Sequence, residues 1–217
     1  MDITSHLTPF LPPAGLTPLQ SEQVRVYLDL LLKWNEKTNL TSVRKPEEIV
    51  SRHFGESFFL ASSLAQVRTA AAASTENQFI DVGSGAGFPG IPLKIYSPHL
   101  QGTLIESHNK KATFLKEVIR TLKLTNIAVF NGRAEELAQS ATGQTSLVTW
   151  RAVERFESVL PVAAKLVAQS GLLALLIGSA QIEAAHKLLP AFAWATPRPL
   201  PLSHSRVLLI GKLRIDN

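Results

Sequence analysis

Two hydrophobic rhythms divide the chain. The stretch LTPLQSEQVRVYLDLLLKW places Val24, Tyr27, Leu28, Leu31 and Leu32 three and four residues apart. That spacing predicts an amphipathic helix with one face turned to a core. Its start is marked as well: Thr17 stands at the N-cap, Pro18 at the first helical position and Gln20 where a capping box needs it. NEKTNLTSVRKP breaks the pattern. Pro46 then opens a second predicted helix, PEEIVSRHFGESFFLASSL, with Ile49, His53, Phe54 and Ser57 at helical spacing. Residues 1–75 are therefore expected to form an N-terminal helical cap.

From Phe79 the rhythm changes. QFIDV, GTLIE, NIAVF, SLVTW and GLLALLI alternate with helical stretches, and RVLLIGKL follows as a last apolar run. Alternating strands and helices predict an α/β domain over residues 76–217, with a parallel sheet, right-handed crossovers and helices on both faces. TAAAAS (69–74) reads as a segment between the two parts, which together are expected to make one compact unit. In such sheets ligands bind beyond the carboxyl ends of the strands, near the point where strand order reverses. A glycine-rich loop follows the first strand and so falls at that point.

That loop carries most of the chemistry. FIDVGSGAGFPGIPL holds Gly83, Gly85, Gly87 and Gly90 directly after an apolar strand. Read from Gly83, a dinucleotide fingerprint fails, because Phe88 stands where its third glycine belongs. Read from Gly85 it fits in spacing but begins too far from the strand, and Pro89 removes an N–H that a pyrophosphate would want. No GK[ST] follows, so a Walker loop is excluded. The surrounding acids favour a ligand without phosphate. Asp81 lies in D-x-G-x-G-x-G and suits an ammonium group. Glu106 ends the second predicted strand, where a carboxylate binds ribose hydroxyls. S-adenosyl-L-methionine combines that ammonium with that ribose. Ala134 and Glu135, in NGRAEEL after the third strand, stand where adenine edges are met. Arg151, in TWRAV after the fourth, stands where an acceptor base is held.

Composition narrows the setting. The chain has 217 residues, no cysteine, a net charge of +5 and a pI near 9.6. Absent cysteines exclude disulfides, thiolate metal sites and cysteine nucleophiles. The six histidines lack ligand spacing, and no metal site is expected. No apolar run approaches the roughly 18 residues that span a bilayer. With no secretory pattern at the N-terminus, a cytoplasmic protein without membrane contact is expected. The basic excess lies late: residues 151–217 hold eight basic and four acidic side chains. A basic surface suits a polyanion.

FIDVGSGAGFPGIPL, ESHNKKATFLKEV, NGRAEEL, WRAV and the upstream KWNEKTNLTSVRKPEEIVSRHFGES together resemble the ribosomal RNA small-subunit methyltransferase G family, also called glucose-inhibited division protein B. The resemblance runs from about Leu16 to Lys212. It implies a Rossmann-like S-adenosylmethionine-dependent methyltransferase fold, a central mostly parallel sheet with an N-terminal helical extension. It also implies methylation of guanine N7 in bacterial 16S rRNA, at position 527 in rRNA numbering. Cofactor positions then fall on Gly83, Phe88, Ala134, Glu135 and Arg151, with Glu106 as the ribose acid and Asp81 and Gly85 beside them. Partners would be 16S rRNA or the small ribosomal subunit, met by a monomer. This chain departs from the family pattern at Gly55 and Glu56, where leucine and aspartate are usual. Ile177 stands for a lysine, and Trp150 for a small residue.

Guanine N7 has a lone pair and no proton, so no general base is needed, and Arg151 is expected to position and not to act as an acid. Phe88 is expected to stack on the base or pack on the cofactor. Lys33, Lys37, Arg44, Lys45, Arg52, Lys110, Lys111, Arg133, Arg155 and Arg206 are candidate RNA contacts, and His53 reads as a satisfied buried histidine. Three rivals remain. One is a methyltransferase for a small molecule or a protein. Another is a nicotinamide-dependent oxidoreductase, disfavoured by the glycine register and Pro89. The third is a non-catalytic RNA-binding or assembly factor on the same fold.

Overall fold

A computed structural model describes residues 2–70, 77–140, 142–151 and 156–214. Arg155 and most of TAAAAS lie outside the described residues. After a short helix α1 (Ile3–Leu7), the first long helix α2 runs from Pro18 to Thr38. Its capping box forms: the Gln20 amide N–H donates to Thr17 Oγ1 at 3.3 Å, and the Thr17 amide donates to Gln20 Oε1 at 2.9 Å. It stops at Asn39, which adopts φ 50°. The second predicted helix is not uniform. A turn α3 (Pro46–Ile49) leads into a π-helical segment, Val50–Gly55, before α4 (Glu56–Ala70). That segment ends at Gly55, where a Cβ would stand 2.5 Å from the Phe10 ring. The glycine lets the buried Phe10 seat itself against the helix.

The second part is an α/β sandwich built on one sheet. Strands β1 (Gln78–Val82), β2 (Gln101–Ile105), β3 (Ile127–Phe130), β4 (Thr145–Arg151) and β5 (Val167–Gly178) are parallel. They alternate with helices α5 (Gly90–Tyr96), α6 (Asn109–Thr121), α7 (Ala134–Ser140) and α8 (Phe156–Lys165). After α9 (Ile182–Leu188) come β6 (Phe192–Trp194), β7 (Arg198–Pro199) and β8 (Arg206–Leu213). Strand β8 pairs antiparallel with β5, β6 and β7. The order β3-β2-β1-β4-β5-β8-β6 reverses between β1 and β4. Helix α8 stops at Lys165, because Val167 already belongs to β5.

Alternation along each strand sorts the core into two layers. Phe79, Leu104, Leu147, Ala174 and Leu208 face one side, and Ile80, Ile105, Val148, Leu173 and Leu209 the other. The first layer is continuous with Val24, Tyr27, Leu28, Leu31, Phe54 and Phe58 of the helical cap. The second is closed by Ala134, Leu160, Ala163 and Ala185 of α7 to α9. The cap thus shares its core with the sheet face that α5 and α6 cover.

Candidate functional site

The glycine loop leaves β1 at Val82 and enters α5 at Gly90. Its glycines do two jobs. Gly85 has φ +58°, and a Cβ there would meet only the Gly83 carbonyl oxygen, at 3.8 Å. Its backbone is bare toward open space. Gly87 has φ +94°, and a Cβ would strike the Tyr27 hydroxyl and Ile91. Tyr27 needs that room, because its hydroxyl donates to the Ala86 carbonyl. Gly90 brings α5 onto the sheet, since a Cβ would fall 2.5 Å from Leu104 and 2.8 Å from an Asp81 oxygen.

Asp81, expected to face an ammonium group, is sealed beneath this loop at 0 % exposure. Its Oδ2 accepts from the Gly90 amide at 3.2 Å and its Oδ1 from the Thr149 hydroxyl at 2.8 Å. The acid therefore ties the start of α5 to β4, with both oxygens engaged by the protein. Burial pushes its pKa up to about 6, against the hydrogen bonds that favour the charge.

Glu106 follows β2 and turns its carboxylate back to the loop. Oε2 accepts from the Gly85 amide at 2.9 Å, and Oε1 accepts from the His108 amide at 2.7 Å. Two backbone donors fix the acid and leave further lone pairs on both oxygens. Ala134 is buried at the start of α7, where Glu135 is exposed in the first turn. Asn131 Nδ2 donates to Asn109 Oδ1 at 2.9 Å, bridging the start of α6 and the loop after β3. The open Gly85 backbone and the oriented Glu106 lie side by side next to the switch point, and the edge after β3 follows one strand further out. This donor set fits S-adenosylmethionine: an open loop with no phosphate cradle, and a carboxylate for ribose hydroxyls.

Arg151 ends β4 on the other side of that switch point. Its Nη2 donates to the Arg52 carbonyl at 2.9 Å and to Glu56 Oε2 at 3.3 Å. Glu56 Oε1 in turn meets Arg206 Nη1 at 2.7 Å. Burial pushes the Glu56 carboxyl up, while Arg151, Arg206 and Arg52 pull it down. A glutamate at the head of α4 thus joins the cap to β4 and β8.

Phe88, expected to reach a base or the cofactor, packs inward. It stacks on Tyr27 with centroids 5.4 Å apart and planes 9° apart, and meets Phe54 edge-on at 5.0 Å. With 5 % exposure the ring closes an aromatic core between cap and loop. His53 joins it, 5.1 Å from Phe88, and its Nε2 lies 2.7 Å from Thr41 Oγ1. Burial first, then Arg151, Arg52 and Arg206, lower its pKa to about 2, so the ring is neutral. Its Nδ1 is buried without a partner, so His53 is satisfied on one side only.

A family model described as rRNA small subunit methyltransferase G matches residues 20–196. The chain belongs to that family. A "Ribosomal RNA small subunit methyltransferase G" of Xylella fastidiosa is 38% identical over 208 residues, covering 92% of each chain. The relative of that name from Desulfitobacterium hafniense is 41% identical over 154 residues, covering 70% of this chain and 60% of its own. The chain thus spans about three fifths of the length of the Desulfitobacterium relative. Among solved structures, a SAM dependent methyltransferase from Aquifex aeolicus aligns with TM-score 0.61 at 12% identity, over 81% of this chain and 97% of that one. That likeness establishes the Rossmann-like methyltransferase fold.

Against the methyltransferase G pattern, the departures now have places. Ile177 and Trp150 both face the layer of α7 to α9, away from the cap and from Arg151's side of the sheet. Trp150 stacks on Phe156 with centroids 5.1 Å apart and shapes that core instead of a base pocket. Sequence reasoning missed the tie between Glu56 and Arg206 and the anchoring by Tyr27. The signal was in the quoted motifs: RHFGES holds Glu56, and the α2 apolar stripe holds Tyr27.

Proposed function

We propose that this chain transfers a methyl group from S-adenosyl-L-methionine to N7 of a guanosine in 16S rRNA, working as a monomer in the cytoplasm. The observation that carries this is the loop at the switch point, where the open Gly85 backbone and the fixed Glu106 carboxylate meet. Membership of the methyltransferase G family supports the acceptor. Among the described residues, no helix is long and apolar enough to cross a membrane.

The bound cofactor supplies an electrophilic methyl group. The rest is the work of this chain's residues. Gly83 and Gly85 admit the amino-acid arm close to the backbone, and Glu106 holds the ribose hydroxyls. Ala134 and Glu135 border the adenine. Asp81 acts from below by fixing α5 and β4. Arg151, next to β1, orients the base or an anionic group of the ligand. N7 gives up no proton, so the rate is set by holding the reacting atoms in line at about 3 Å. A base in folded RNA must be drawn out of its stack, at a cost of a few kcal/mol.

The test is methyl transfer from labelled S-adenosylmethionine to undermethylated small-subunit RNA and particles, with the base mapped by N7-specific strand cleavage. One labelled guanosine, lost in Glu106→Ala and Arg151→Ala, is the expected result. Cofactor binding without transfer to any RNA form would refute the acceptor, and no cofactor binding would refute the site.

A further inference from the structure

Glu56, Arg151 and Arg206 come from three distant parts of the chain and meet at the carboxyl edge of the sheet. The Glu56 side chain is 2% exposed and contacts both guanidiniums, one through each oxygen. One carboxylate between two arginines leaves a net positive charge. Arg52 adds little to that surplus, since it pairs with Glu48 at 3.3 Å. A buried acid needs partners to offset its lost hydration. Both arginines do this here, and one carboxylate balances only one of their two charges.

The two arginines differ in where they stand. Arg151 ends β4, adjacent to β1 and its loop. Arg206 opens β8, opposite Gly178 at the end of β5, two strand spacings or roughly 10 Å further out. Its side chain is 27% exposed, against 11% for Arg151. Arg206 is also held in advance: the Ser203 hydroxyl oxygen accepts from its amide at 3.1 Å and from its Nε at 3.2 Å. A guanidinium fixed at Nε and Nη1, with its outer side in solvent, is a prepared receptor for a phosphate. It lies beyond residues 20–196, which the family model matches.

We propose that Arg206 is a second guanidinium of the substrate site, taking a backbone phosphate of the RNA beside the target guanosine. Glu56 is the positioning residue that holds Arg151 and Arg206 side by side. This rests on the rRNA methylation proposed above. Glutamate reaches both arginines from the head of α4. An aspartate, one methylene shorter, gives up one of the two contacts.

The experiment measures RNA binding and transfer together, on undermethylated small-subunit particles over a range of salt, with cofactor affinity measured separately. Arg206→Gln is expected to weaken RNA binding about tenfold and to reduce the slope of log K against log salt by about 0.7 to 0.9. Its cofactor affinity should stay within twofold. Glu56→Gln should raise the KM for RNA by a similar factor and more than it lowers kcat, with Glu56→Asp recovering part of the loss. Unchanged RNA affinity and salt slope in Arg206→Gln would overturn the proposal. So would an equal fall in cofactor affinity, which would assign the anion to the cofactor's carboxylate. Wild-type protein that neither binds nor methylates the RNA would overturn the rRNA function itself, and the phosphate contact with it.

Discussion

Asp81 is a buried carboxylate that the fold uses without solvating, and Asp81→Asn tests that directly. The asparagine keeps the shape. Its amide oxygen accepts from the Gly90 N–H, and its amide nitrogen donates to Thr149 Oγ1. The Thr149 proton then turns to the Ile80 carbonyl, 3.5 Å away. Burial raises the Asp81 pKa from 3.8 to about 6, a rise of roughly two units or about 3 kcal/mol. The folded state holds this proton more tightly than the unfolded chain. Its stabilising contribution is therefore complete below pH 3.8 and is lost as the pH rises through about 6. Asparagine does not titrate. In cofactor-free protein, the stability of Asp81→Asn relative to wild type should therefore rise by about 2 kcal/mol between pH 4.5 and 7.5. Urea unfolding followed by tryptophan fluorescence measures this, and the other titrating groups cancel in the difference. A difference that stays constant within about 0.5 kcal/mol would refute the raised pKa and the dry environment behind it. The same variant measures the acid's distance from the ligand. A sealed carboxylate predicts less than a threefold loss of cofactor affinity, whereas a hundredfold loss would mean that it meets the ammonium after all.

The division of labour among the glycines predicts a split. Gly85→Ala should fold with a penalty of about 1–2 kcal/mol for its left-handed backbone and lose cofactor binding by titration, while Gly87→Ala, which also collides with Tyr27, should lower the melting temperature far more. Tyr27→Phe removes the bond to the Ala86 carbonyl and should cost about 1 kcal/mol in denaturant unfolding, with a several-fold weaker cofactor. Gly55→Leu should destabilise strongly by displacing Phe10, and Phe10→Ala should cost less in that background than alone, a coupling read from a double-mutant cycle. His53, with its pKa lowered to about 2, contributes stability present above pH 6.5 and lost as the pH falls toward 2. By pH 5 that loss is about 2 kcal/mol, and it should be absent in His53→Gln.

The strands were legible because each apolar run is short, buried and bounded by turn residues. The meeting of Glu106 with the glycine loop was legible because a residue's chemistry and its distance from a strand end agree there. What stayed hidden depends on contacts between distant segments. No local pattern says that Gly85 faces open space while Gly87, two residues on, makes room for a hydroxyl from α2. The close approach at the end of the π-helical turn is equally silent in the sequence, because the ring that Gly55 admits is that of Phe10, forty-odd residues upstream. Strands β6 and β7 are three and two residues long, too short to show a period.

The motif pairs that carried the resemblance gain a physical reason from this. Asn35 Nδ2 donates to the Thr41 carbonyl at 3.0 Å, and the Thr41 amide donates back to Asn35 Oδ1 at 2.9 Å. That exchange closes the turn after α2 and aims the Thr41 hydroxyl at His53. His53 and Phe54 then press on Phe88, and Tyr27 holds Ala86 from the other side. RHF therefore reaches the glycine loop through two aromatic contacts, with KWNEKTNLTSVR behind it through Thr41, and Tyr27 of α2 adds a third aromatic contact and one hydrogen bond. A cap that only gripped RNA would need none of these. The cap packs directly on the glycine loop and holds its conformation together with β1.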